Sequence, residues 1–148
     1  MDTAALTPEL VELLRAHRTL VLASTGGPVS PWIAAAYFAE ADPFTLQLAI
    51  ETGGKTMANL RADPRIAVMV AGPHPFALFA QGEGLVTIER PGTAAHARIR
   101  AELIAKAPEM EPFFAAPMEH LRLRLRRWLL TDVTRGWLPA RERATPRC

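Results

Sequence analysis

The stretch from His120 to Val133, HLRLRLRRWLLTDV, opens with a strict alternation of apolar and charged side chains. Leu121, Leu123 and Leu125 fall on one side of an extended chain, and Arg122, Arg124 and Arg126 fall on the other. A helix repeats every 3.6 residues and would spread those leucines around its axis; a strand repeats every two and collects them on one face. The segment is therefore a strand with one face in a core and one in water. Its leucines need a sheet to close over them, and the rest of the chain must supply it.

The supply is there. Thr19 to Ser24 (TLVLAS) is β-prone and ends at a Gly26-Gly27-Pro28 turn. Val29 to Ala39 continues as a strand, bent or bulged near Pro31. After an Asp42-Pro43 turn, Phe44 to Ile50 alternates again. Arg65 to Ala71 is a further strand, followed by a turn at Gly72-Pro73-His74-Pro75. Phe76 to Ile88 is one long strand or two, with Gly82 and Gly84 as bulges. Thr7-Pro8-Glu9 starts a helix with the apolar face Leu10, Val11, Leu13 and Leu14. Pro91-Gly92-Thr93 opens a second helix that stops before Pro108; Pro112 to Met118 reads as a short helix and a loop. Six strands joined mostly by short turns give a mainly β (α+β) fold, an antiparallel sheet closed into a barrel with flanking helices. The 148 residues suit a single domain, 1–148, with 141–148 expected as a flexible tail.

Composition narrows the function classes. The balance of 49% apolar and 22% charged residues is that of a globular chain. A formal charge of +2 gives no reason to expect nucleic acid or membrane as a partner. No apolar run approaches the ~18 residues of a membrane span, and MDTAALTPEL has no signal-peptide character. Cys148 is the sole cysteine, so no disulfide forms within the chain, which suits a cytoplasmic location. The Arg122 to Arg127 stripe reads as the wet face of its strand, because it lacks the interleaved aromatics that single-stranded nucleic acid requires. His17, His74, His96 and His120 show no metal-binding spacing. Trp128 and Trp137 suit either core packing or an interface. No G-x-S-x-G nucleophile elbow is present.

The most chemical stretch is AIETGGKTMANLRADPRIAVMV, residues 49–70. A strand ends at Ile50 and a helix begins near Gly54 or Lys55. A helix's first turn exposes unpaired N–H groups and carries about half a positive charge. Gly53 and Gly54 let an anion come close; Lys55 adds a full charge, and Thr52 and Thr56 add hydroxyls. These are the parts of a phosphate socket. They are equally the parts of an ordinary Gly-Gly turn leading into a helix whose core face is Met57 and Leu60. The stretch is not a Walker loop, since Ala49 stands where the first glycine belongs.

The order of these elements resembles that of the pyridoxamine 5'-phosphate oxidase-like, FMN-binding split-barrel proteins. The most specific piece is Lys55-Thr56-x-x-Asn59-Leu60-x-x-Asp63-Pro64-Arg65, and LLTDVTRGWLPARE is similar to the family's last strand. The resemblance runs from about Leu10 to Glu142. It implies a six-stranded antiparallel split β-barrel, a homodimer with flavin at the interface, and a flavin-dependent oxidoreductase acting on a small-molecule substrate. The Lys55-Thr56 pair would hold the FMN phosphate. Trp32, Ile33 and Ala34, with Ile50, Glu51 and Thr52, would flank the cofactor mainly through backbone groups. A substrate pocket would open at the dimer seam, shaped by residues 108–120. Many members place a second basic residue directly before the lysine, where this chain has Gly54; Arg61, Arg65 or an arginine of the partner subunit would then complete the charge. Pyridoxamine phosphate specificity does not carry over. Nor does the resemblance exclude a deazaflavin, or a non-catalytic flavin or haem carrier, for which His120 would be the axial ligand. No residue emerges as a catalytic acid or base beyond Tyr37, the single tyrosine.

Overall fold

The alternating strand, β6 (Met118–Asp132), is where the sheet closes on itself. The structure is a computed structural model and describes residues 7–74 and 76–144. Before β6 come helix α1 (Thr7–Ala16), β1 (Thr19–Ser24), β2 (Trp32–Asp42), β3 (Thr45–Glu51), α2 (Lys55–Ala62), β4 (Arg65–Ala71), β5 (Phe79–Glu89), α3 (Ala94–Lys106) and a 3₁₀ helix (Pro108–Ala115). After it come a single 3₁₀ turn (Val133–Arg135) and β7 (Trp137–Ala144). One edge of β6 pairs with β5; the other pairs first with β3 and then with β7. With β1 joined to β2 and β4, β2 to β3 and β4 to β5, all antiparallel, six strands form a closed barrel and β7 extends it. This is the split barrel that the sequence suggests.

The alternation works as expected, and one irregularity extends it. Leu121, Leu123 and Leu125 point inward and are at most 2% exposed. Opposite Glu83 and Gly84 the register then slips: Gly84 pairs with Leu125 and Glu83 with Arg127, leaving Arg126 as the extra residue. That one-residue bulge flips the parity, so Trp128 and Leu130 also face the core. The bulge therefore sits on β6, not at the glycines of β5. Gly84 serves it by close approach, since a Cβ there would lie 2.0 Å from the Arg124 carbonyl oxygen. Leu10, Leu13 and Leu14 of α1, at the i, i+3, i+4 spacing, join the same core. A second apolar cluster lies outside the barrel, where Ile99 and Leu103 of α3 pack on Ala39 of β2 and Ala49 of β3.

Other sequence expectations need correction. β2 begins at Trp32, after Pro31, because a proline has no N–H to give the ladder. The expected tail is in part a strand: β7 runs to Ala144 and pairs Arg141, Glu142 and Arg143 with β6. Of the two placements open to Trp128 and Trp137, the core is the one observed, with 0% and 8% exposure, and this needs no correction. The hydroxyl cap at Thr7, the turn residue Pro75 and Cys148 lie outside the described residues and side chains. No described helix is long and apolar enough to cross a membrane.

Candidate functional site

The split in the barrel makes the site. β2 and β3 pair at Phe38↔Leu48, Ala39↔Gln47 and onward to Asp42↔Thr45, and among the described residues the two strands do not pair on the other side of Phe38. In antiparallel strands a residue's N–H and C=O point to the same edge, and the edge alternates along the chain. Phe38 donates its N–H to the Arg18 carbonyl beside β1 (3.0 Å), so even-numbered residues of β2 turn toward β1. Odd-numbered ones, Ala35 and Tyr37, turn toward the gap. On β3 the same logic runs from Thr52, whose N–H donates to the Pro117 carbonyl (3.0 Å) and so turns toward the start of β6. Ala49 and Glu51 therefore turn toward the gap from the other side. The two parted edges wall a cleft of about 400 Å³, floored by Gly54, Lys55 and Thr56 and overhung by Met110, Phe113 and Met118.

The helix end at the cleft is bare. Gly54 is the N-cap of α2 and provides no side-chain hydrogen bond, and the first turn holds no acid. The helix ladder starts with Ala58 N–H to the Gly54 carbonyl (3.2 Å), so the N–H groups of Lys55, Thr56 and Met57 have no acceptor within the helix. The Lys55 ammonium lies 4.8 Å from the centre of the Trp32 ring, and Thr56 is buried beneath it. One feature opposes an anion. Glu51 Oε2 reaches the same corner, 3.8 Å from where a Cβ on Gly54 would stand.

Of the eight expected cofactor residues, Trp32, Ala34, Ile50, Glu51, Lys55 and Thr56 line the cleft. Ile33 does not: it is 67% exposed with its side chain on the outer face of the sheet, although its backbone turns to the same edge as that of Ala35. Thr52 does not either, for its N–H goes to Pro117 and its carbonyl accepts from Arg61. The sequence reading missed Ala35, Tyr37 and Ala49, whose backbones face the gap. Their signal was parity within each strand, but it is readable only once the edge partner is known. Residues 108–120 do shape the cleft through Met110, Phe113 and Met118, and Tyr37 lies 6.2 Å from Phe113, ring centre to ring centre.

Neither nearby arginine supplies the second cation. Arg61 is held by Glu119 (3.0 Å) and by the Thr52 carbonyl (3.1 Å). Arg65 forks onto Asp63 (2.6 Å), and that hydrogen bond holds the Asp63 carboxyl below its usual range. His120 does not line the cleft. It is 4% exposed, its ring stacks on His96 at 3.6 Å between centres, and its Nδ1 bonds the His96 carbonyl at 2.9 Å. Burial pushes its pKa down, against the hydrogen bond to His96, which raises it. No histidine lines the cleft among the described residues.

Comparison with known proteins agrees with this architecture. The family described as pyridoxamine 5'-phosphate oxidase matches residues 6–137. No curated protein matches the chain significantly. Among solved structures, an FAD-binding protein from Mesorhizobium loti is similar at TM-score 0.66 and 21% identity, over 83% of this chain and 91% of that one. The haem storage protein HutZ from Vibrio cholerae is similar at TM-score 0.69 and 17% identity, over 81% and 89%. A haem-binding protein from Mycobacterium smegmatis is similar at TM-score 0.73 and 18% identity, over 91% of this chain but 57% of that longer one. At these identities the likeness is one of fold.

Proposed function

The chain belongs to the pyridoxamine 5'-phosphate oxidase family, and from that membership we propose that it binds FMN and acts as a flavin-dependent oxidoreductase on a small molecule. The carrying observation is the bare N-terminus of α2, with Lys55 on it, at the floor of a cleft walled by two unpaired strand edges. A phosphate monoester fits that end: free N–H groups, one ammonium and a buried threonine. The edges at Ala35, Tyr37 and Ala49 offer backbone donors and acceptors to the polar rim of a flavin ring, which is how a site with few polar side chains reads one. When bound, the ring supplies the hydride or electron transfer, and the protein orients it and excludes water. Met110, Phe113 and Met118 form the apolar side of that enclosure.

A second copy of the chain would complete the site. Beside the cleft, the outer sheet face carries cross-strand rows of small and apolar residues: Ile33, Ala23 and Ala67 in one, Ala35, Val21 and Met69 in the next. Ile33 is 67% and Met69 37% exposed in one chain. Such a face is where a partner removes apolar surface from water. The partner is also the remaining source of the second cation.

The experiment is the absorption spectrum of the purified protein, followed by calorimetric titration with FMN, light scattering, and steady-state oxidation of a reduced nicotinamide. A flavin band or saturable FMN binding by a dimer, with turnover, is expected. A colourless protein that ignores FMN overturns the reading; binding without turnover with any donor favours a carrier. The haem carrier remains a second reading because two of the fold relatives bind or store haem, and a Soret band would favour it. Glu51 gives a finer test. Glu51→Gln is expected to tighten FMN binding roughly two- to fivefold, the worth of one charge at a helix end; weaker binding would mean the carboxylate contacts the cofactor.

A further inference from the structure

At the other end of β2 and β3, where the two strands do pair, a larger cleft of about 740 Å³ opens under α3. It shares no lining residue with the cleft at Lys55. We propose that it is a second ligand site, for a small hydroxycarboxylate. The volume exists because three of the side chains facing it, from two elements, are alanines: Ala39 on β2, and Ala95 and Ala105 on α3. Larger apolar residues there would close the helix onto the sheet, as Ile99 and Leu103 do alongside. The volume lies in the range of small-molecule pockets.

Charge and unmet hydrogen bonding define what fits. Some of the lining charges cancel each other. Lys106 reaches Glu40 at 2.5 Å and the Leu14 carbonyl at 2.8 Å, and Arg122 lies 3.3 Å from Glu89. Arg15 and Arg98 have no acid within ion-pair distance among the described residues, and against them stands Glu102, likewise without an ion pair. One positive charge is left over, which suits a monoanion. Gln47 is 5% exposed, and its Oε1 is buried with no hydrogen-bond partner. It sits in the cross-strand row between Ala39 and Arg122, with its side chain at the cleft. Glu89 Oε1 is in the same state, close to Arg122 but not aligned for a hydrogen bond. A buried acceptor left unpaired costs more than a typical hydrogen bond returns, so the cleft lacks a donor as well as an anion. A carboxylate forked onto a guanidinium, with a hydroxyl on the adjoining carbon donating to Gln47, supplies both.

The test is amide-resolved NMR of the full chain titrated with glycerate, with propionate (no hydroxyl) and glycerol (no charge) as comparisons. Saturable shifts centred on Ala39, Gln47, Arg98 and Ala105 are expected with glycerate, weaker ones with propionate, and none with glycerol. Gln47→Leu should raise the glycerate dissociation constant about tenfold and leave that of propionate in place. Arg98→Glu, on the exposed face of α3, should abolish binding of both, and it decides the matter if Gln47→Leu does not fold. No saturable shift at these amides, or glycerate binding unchanged in either variant, overturns the proposal. FMN binding, read at the amides of α2, is unaffected in either case, so failure here and failure of the flavin reading are distinguishable.

Discussion

Lys55→Glu is expected to weaken FMN binding by two to three orders of magnitude, measured by calorimetric or fluorescence titration of the purified protein. Two losses combine. Removing a charged hydrogen bond to the phosphate costs about 1.5–3 kcal/mol. Placing a carboxylate about 4 Å from a phosphate adds about 1 kcal/mol even at the dielectric constant of water. Lys55 has no nearby understudy, for Arg61 is committed to Glu119 and Thr52, and Arg65 to Asp63. The contact of the ammonium with Trp32 is lost as well. Lys55→Arg keeps the charge and should stay within a few-fold of the wild type. Since Lys55 is exposed at the first turn of α2, neither variant should disturb the fold, and near-equal melting temperatures would verify that. A dissociation constant for Lys55→Glu equal to that of the wild type would remove the phosphate from this helix.

Local patterns in the sequence carried the barrel. The Leu/Arg alternation of β6, the i, i+3, i+4 leucines of α1 and the proline and glycine breaks are all written within a few residues. Helix α3 even shows its cap, with Thr93 accepting from the His96 N–H at 3.2 Å. What stayed hidden depends on partners far along the chain. The end of β7 reads as a charged tail because Arg141, Glu142 and Arg143 have no apolar period, and only pairing with β6 makes them a strand. The candidate site is half legible for the same reason. Lys55 and Thr56 announce themselves by residue type at a helix start. Ala35, Tyr37 and Ala49 face the gap with their backbones, and that placement depends on where the β2–β3 ladder stops, which no residue type encodes. Ile33 turns its side chain to the outer face of the sheet, so only its backbone is left for the flanking role that the resemblance implies.

Trp128→Ala is expected to destabilise the protein by about 3–5 kcal/mol, a fall in melting temperature on the order of 10 °C for a chain of this size. Trp128 is fully buried, and its Nε1–H donates to the Pro43 carbonyl at 2.7 Å. Truncation leaves both a void and an orphaned acceptor at the β2–β3 turn. Trp128→Phe retains most of the volume and should cost less, chiefly the lost hydrogen bond. The ring is also the reason β5 carries a glycine opposite it. A Cβ on Gly82 would lie 2.9 Å from two Trp128 ring carbons and 2.8 Å from Leu125 Cδ2. Gly82→Ala alone should therefore destabilise by overpacking, about 1–3 kcal/mol. Combined with Trp128→Ala, much of that penalty should vanish, because the added methyl enters space the indole has left. A double-mutant cycle by chemical denaturation measures the difference directly. Strictly additive costs would show that Gly82 and Trp128 are not a size-matched pair, and that the parity shift created by the β6 bulge does not depend on glycine across the strand.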